Sequence, residues 1–199
     1  MKKILIPILL ICIQCSSVSD TEITKKERDF AINELRSSKE NLLSVINGLS
    51  EAQLNYKSSE LEWSIAQCTE HITIFENQLF EILEESLELP ASPERRKDLN
   101  FTDKELMAFV INRTEKQKTQ EDLEPSGKYG NHSSTVDEFK EKREKHINYI
   151  KITKDDLRNH FTGFGSIDIY QIFLYTSSHT IRHIQQIKEI KNNANFPNN

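Results

Sequence analysis

SSHTIRHIQQIKEI, residues 177–190, places two histidines four positions apart on a stretch whose other spacings are those of a buried helix face. Extended by one turn toward its start, the pattern runs Ile172, Thr176, His179, His183, Ile187, Ile190, at intervals of three and four. That is the period of one side of an α-helix, so both histidines stand at core positions. Residues four apart on a helix lie one above the other, about 5–6 Å apart at Cβ, and two imidazoles so placed can share one metal ion. Thr180, Ile181 and Arg182 separate them, with no glutamate after the first histidine, so the zinc-protease helix motif is absent.

The same period organises the rest of the chain into helices. A first helix is predicted from about Thr21 to Leu49, with Leu42, Val45, Ile46 and Leu49 on its inner side. LSEAQLNYKSS follows as a loop with one short helical turn. Ser64 and Gln67 form a capping box that opens a second helix, carrying Ile65, Cys68, Ile72, Phe75, Leu79 and Ile82 to the stop at Pro90 and Pro93. A capping box at Thr102 and Glu105 starts a third, with Leu106, Phe109 and Val110. Thr135 and Glu138 are read as the start of a fourth, carrying Phe139, Ile147 and Ile150, after a loop marked by Gly127 and Gly130. A short helical piece is expected over 154–161 and the last helix from about Ile167 to Lys191, followed by a frayed polar tail, NNANFPNN. No period-two alternation long enough for a sheet and no internal repeat occurs. The expected fold is all-α: one helix-bundle domain, residues 20–199.

Composition agrees. The formal charge is −5 over 199 residues, with only five glycines and five prolines, and no basic patch interleaved with aromatics points to nucleic acid. The first residues differ. MKKILIPILLICIQC pairs two lysines with an apolar run too short to span a bilayer, which reads as a secretory signal over residues 1–19. Cys15 stands where a bacterial lipoprotein carries its lipid, although Gln14 departs from the small residue usual before it. The alternative is simple cleavage after Ser17-Val18-Ser19. Either way the chain leaves the cytoplasm, as a membrane-tethered lipoprotein or a periplasmic or secreted protein. Cys68 is then the one cysteine of the folded part, leaving no intramolecular disulfide.

Two ligands on one helix need a third from another. His132, His146 and His160 lie in a glycine loop, among charges and near TGFG. His71 lies one residue from the apolar stripe of the second helix, in line with Cys68 and Phe75, and is the candidate. Three histidines with an open side is the arrangement of catalytic metal sites. On spacing alone, a buried hydrogen-bonded pair without metal is the competing reading. Cys68 is assigned to packing, as a small hydrophobe.

WSIAQCTEH (63–71) together with HTIRHIQQI (179–187) resembles the DinB/YfiT-like superfamily of four-helix-bundle metalloproteins, and EPSGKYG and GSIDIYQIFLYTSSH look familial as well. The resemblance implies a four-helix bundle with additional short helices. It also implies one divalent ion, nickel or zinc, on His71, His179 and His183. Ser64 and Gln67 would set the angle of the helix presenting His71, with Gln67 also placed to reach a metal-bound water. Arg182 and Gln186 flank the ligand pair, Arg182 bracing the bundle through an acidic partner. Trp63 is read as packing at the bundle's end.

Similar proteins imply either a metal-dependent hydrolase or a thiol-transferase-like enzyme; export favours hydrolysis, because low-molecular-weight thiols are scarce outside the cytoplasm. A non-catalytic metal-binding or interaction lipoprotein is the alternative. The expected partners are a small-molecule substrate, a membrane only through the lipid anchor, and a second copy of the chain in a homodimer. If Cys15 carries the anchor, Cys15→Ala keeps export but releases the protein from membranes on fractionation; full-length wild type among soluble cytosolic proteins would refute the signal.

Overall fold

The computed structural model describes residues 21–115, 118–163 and 166–198; the signal, with Cys15, lies outside them. Among the described residues six α-helices follow one another: α1 Lys25–Ile46, α2 Glu51–Leu54, α3 Ile65–Leu87, α4 Asp103–Ile111, α5 His132–Ile152 and α6 Ile169–Lys191. Two 3-10 turns, Pro93–Asp98 and Glu121–Leu123, interrupt the segment between α3 and α5. No helix of the described residues is long and apolar enough to cross a membrane.

Capping explains where the helices begin. The Ser64–Gln67 and Thr102–Glu105 boxes form as expected, and Thr24–Glu27, Ser50–Gln53 and Asp168–Gln171 form as well. The Thr135–Glu138 box does not. Gly130, at φ +84, turns the chain one step earlier, and Asn131 takes the cap by accepting from the Ser134 N–H at 2.9 Å. Thr135 is thereby inside α5, its hydroxyl donating back to the Asn131 carbonyl. α1 stops at Ile46, short of Leu49, where Gly48 adopts φ +71. The predicted helical piece over 154–161 is a turn. The Asp156 carboxylate accepts from the Asn159 side chain and main chain, a local pairing that competes with helix, and Phe161 then bridges Asp168 in antiparallel fashion. The tail is docked rather than frayed: Tyr56 packs edge-on against Phe196 and donates to Asn193, while Gln53 donates to the Pro197 carbonyl.

The bundle consists of α1, α3, α5 and α6, with neighbours α1–α6, α6–α3, α3–α5 and α5–α1. Tyr170 donates to the Glu27 carbonyl, Ser177 to Glu34 and Lys191 to Val45, so α1 and α6 are parallel. Glu76 meets Arg143 and Phe80 meets Tyr149, so α3 and α5 are parallel too. His71 meets His183 while Phe75 meets Tyr175, which sets α3 against α6. The order is up, down, down, up. Adjacent parallel helices need a connection that travels back along the bundle; the 23 residues of α3 at ~1.5 Å each are about 35 Å long. Residues 88–131 make that return and lay α4 along α6.

The apolar core falls into two clusters. One joins Leu35, Leu79, Leu83, Ile147 and Phe173; the other joins Leu42, Ile65, Cys68, Phe139 and Ile187. A polar layer divides them at mid-height, centred on Arg143 of α5. All five N–H donors of this fully buried guanidinium are used. Two go to the Glu76 carboxylate of α3, at 2.6 and 3.0 Å. The others go to the Leu35 carbonyl and Ser38 hydroxyl of α1 and to the Thr180 hydroxyl of α6. Burial pushes the Glu76 carboxyl up, but Arg143, with His146 beside it, outweighs burial and holds it below the usual range. The pair is therefore ionised. His146 Nδ1 lies 3.2 Å from Glu76 Oε1.

Removing one partner strands the other charge in the core. Arg143→Ala is expected to cost about 3–5 kcal/mol in urea denaturation, whereas Arg143→Met with Glu76→Leu recovers most of that loss. A double variant as unstable as the single one would show that the layer contributes through something other than the stranded charge.

Candidate metal centre

His71 sits two turns into α3, and its helix start is fixed by the Ser64–Gln67 box, in which Ser64 Oγ accepts from the Gln67 N–H at 3.2 Å and Gln67 Oε1 from the Ser64 N–H at 3.0 Å. Gln67 is thus committed to the cap and does not line the site. α6, antiparallel to α3, brings His179 and His183 opposite His71. His179 Nε2 lies 3.2 Å from His71 Nε2 and 3.1 Å from His183 Nε2. Among the described residues these three form a group whose donor atoms can hold one ion, all within 4.8 Å of one another. The histidines named from the sequence are therefore brought together; His132 and His160 stand elsewhere, and His146 is in the Arg143 layer, stacked on Phe80.

The second ring nitrogens decide what faces inward. His71 Nδ1–H donates to the Leu123 carbonyl at 2.8 Å. His183 Nδ1–H donates to Gln186 Oε1 at 2.9 Å, and the Arg113 guanidinium, which can only donate, holds that amide oxygen in place at 3.4 Å. Both Nε2 atoms consequently present lone pairs to His179. His179 Nε2 can donate to one of them at most, so at least one close nitrogen pair carries no proton. A cation relieves that repulsion. Two nitrogens each about 2.0–2.1 Å from one ion lie roughly 3.0–3.4 Å apart, the spacing seen here. The donor set fits a divalent transition-metal ion.

Burial is the leading cause that keeps all three imidazoles neutral. It lowers His71 against the opposing pull of the Leu123 carbonyl. Burial with the neighbouring His183 and His71 lowers His179 far below its ordinary value, and burial with His71 brings His183 down to about 3.

Trp63 packs over His71 and His183, with ring centroids 4.7 and 6.2 Å away, and Phe75 stacks on His179 at 4.0 Å. Trp63 is a wall of the site rather than packing remote from it. The histidines floor a cavity of about 940 Å³ between α3, α4 and α6, whose rim includes Phe109, 63% exposed although its spacing with Leu106 and Val110 suggested burial. Arg182 pairs with the Val110, Asn112 and Glu115 carbonyls, not with an acid. It holds the C-terminal end of α4, where carbonyls lack helical partners, against the cavity. Cys68 is buried in the lower core, its thiol pushed up to about 12 by burial, away from the ligand group. Arg113, Leu123, Trp63 and Phe75 were not named from the sequence as parts of the site. Trp63 and Phe75 could have been, because each lies one turn or two from His71.

The structure of YfiT from Bacillus subtilis, described as a probable metal-dependent hydrolase with an unusual four-helix bundle topology, superimposes with a TM-score of 0.58 at 15% identity, covering 85% of this chain and 88% of that one. No curated protein matches the sequence. Residues 34–187, which hold all of α3 and α5 and most of α1 and α6, match the family model of the DinB superfamily, and the chain belongs to that superfamily.

Proposed function

We propose that this chain is a metal-dependent hydrolase that holds one divalent ion, nickel or zinc, on His71, His179 and His183. The observation that carries the reading is the convergence of three neutral Nε2 atoms, two of them fixed as bare lone pairs, on the floor of an open cavity. A bound ion there supplies Lewis acidity toward a water or substrate oxygen on the cavity side. The chain's own residues do the rest. The Leu123 carbonyl and Gln186 keep the protons of His71 and His183 on Nδ1, and Arg113 keeps Gln186 turned the right way. Trp63 and Phe75 cover the ring faces and exclude water from the ligand side. The room above the histidines suits a small-molecule substrate and favours this over the closed site of a purely structural metal. An extracytoplasmic location belongs to the same proposal and rests on the sequence of residues 1–19 alone.

Protein dialysed against chelator and reloaded should bind one equivalent of zinc or nickel. His179→Ala or His183→Ala should abolish binding, while His132→Ala and His160→Ala leave it unchanged. Cobalt uptake should give a spectrum of a site with a solvent ligand. A triple alanine variant that retains one equivalent of metal, or a wild type that takes up none, ends the proposal.

The pH dependence follows from the lowered imidazole values. In the metal-free protein the folded state binds fewer protons at these histidines than the unfolded chain does once the pH falls below about 6.5. Their neutral form contributes stability in full above that value, and the contribution is lost as the pH falls toward the folded values. Denaturation at pH 7.5 and 5.5 should therefore show a larger loss for metal-free wild type than for the triple alanine variant. Metal affinity, set by the folded state, should hold to lower pH than unperturbed histidines would allow.

A further inference from the structure

Glu70 precedes His71 on α3 and is 8% exposed. Its carboxylate has two partners, the main-chain N–H groups of Ser126 at 3.3 Å and Lys128 at 2.7 Å, both on Oε1. Gly127 between them adopts φ +76, which turns the flanking N–H groups to the same side and makes a small anion-holding nest. A buried acid is costly, and an apolar residue at this position would avoid that cost. What the carboxylate secures is the chain segment that carries the Leu123 carbonyl, the acceptor for His71 Nδ1–H. Two successive residues of α3 thus grip one loop with opposite chemistry, Glu70 accepting from it and His71 donating to it. The segment is also attached by the buried Leu123 side chain, by a part-buried Asn77–Tyr129 hydrogen bond and by an exposed one from Gln78 to Asp122.

We infer that Glu70 is a positioning residue for the His71 ligand, acting through residues 123–128. The inference rests on the metal-site reading only for its consequence; the structural part concerns the metal-free protein. With Glu70 in place, the Leu123 carbonyl stays against His71 and the imidazole keeps its proton on Nδ1 and its lone pair on Nε2. Without it, the loop withdraws, and His71 is free to carry the proton on Nε2, where it blocks coordination.

The test is Glu70→Ala and Glu70→Gln, checked for folding by circular dichroism, with two readouts. Long-range nitrogen–proton correlation spectra of the metal-free protein report which nitrogen of each histidine is protonated. Glu70→Ala should convert His71 from the Nδ1–H form to a mixture, while His183, held by Gln186, stays unchanged. Glu70→Gln, whose amide oxygen can still accept, should recover most of the Nδ1–H form. Chelator competition should show zinc affinity lowered by about 10–100-fold in Glu70→Ala, the range for residues that orient a ligand. If Glu70→Ala fails to fold, Gly127→Ala opens the same nest through strain alone, since its added Cβ meets nothing within 4 Å, and should shift the His71 tautomer in the same direction. A wild-type tautomer at His71 in the folded variant overturns the inference. A wild type that binds no metal overturns the proposed function and leaves the tautomer result to decide this one.

Discussion

Arg143 is the point at which all four bundle helices are fixed to one another. A core made only of Leu, Ile and Phe tolerates small slides of one helix past its neighbour; a buried guanidinium with five directed donors does not. Each donor goes to a defined atom: two on α3, two on α1 and one on α6. Slipping a helix by one residue moves its side chains by about 1.5 Å and turns them by about 100°, which would break several of these bonds together. The two ligand-bearing helices take part through Glu76, five residues beyond His71, and Thr180, next to His179. The geometry that sets the bundle's register therefore also sets the separation of the imidazoles.

α4 lies outside this frame and is held at its two ends. Near its start, Arg158 joins Asp103 to Glu27 and Asp168, at the beginnings of α1 and α6, and lies over the Tyr170 ring. Acidic groups at helix N-termini are favourably placed relative to the helix dipole, and here three share one guanidinium. At its far end Arg182 and Arg113 take over, the first through main-chain carbonyls and the second through Gln186 and Glu189. The cavity wall is thus pinned by cations at both ends of a nine-residue helix that packs Leu106 and Val110 into the core.

Much of this was legible in the chain. The three-and-four periods of Ile65–Ile82 and Ile172–Ile190 gave the long helices, and the histidines stood out because they interrupt such a period. Arg143 interrupts one in the same way, between Phe139 and Ile147, and was equally visible; an imidazole on a core face suggests chemistry more readily than a guanidinium does. Glu76 was harder, because Phe75 beside it completes the apolar stripe equally well. Leu123 could not have been found. It acts through its main-chain carbonyl, which every residue possesses, and only the path of the crossover brings it to His71. Asn131 displaced Thr135 as a cap for a local reason: glycine conformation decided among several adequate capping residues.

The candidate ligands come from positions 71, 179 and 183, and the acceptor that orients the first comes from position 123. A ribosome must release the residues from 71 through 183 before these atoms can meet, and α6 supplies two of the three ligands. A nascent chain that has not yet reached α6 holds only His71 of the three. On the metal-site proposal, loading would follow folding, and the supply of metal in the compartment where the chain folds, as much as the intrinsic preference of three imidazoles, would select the ion.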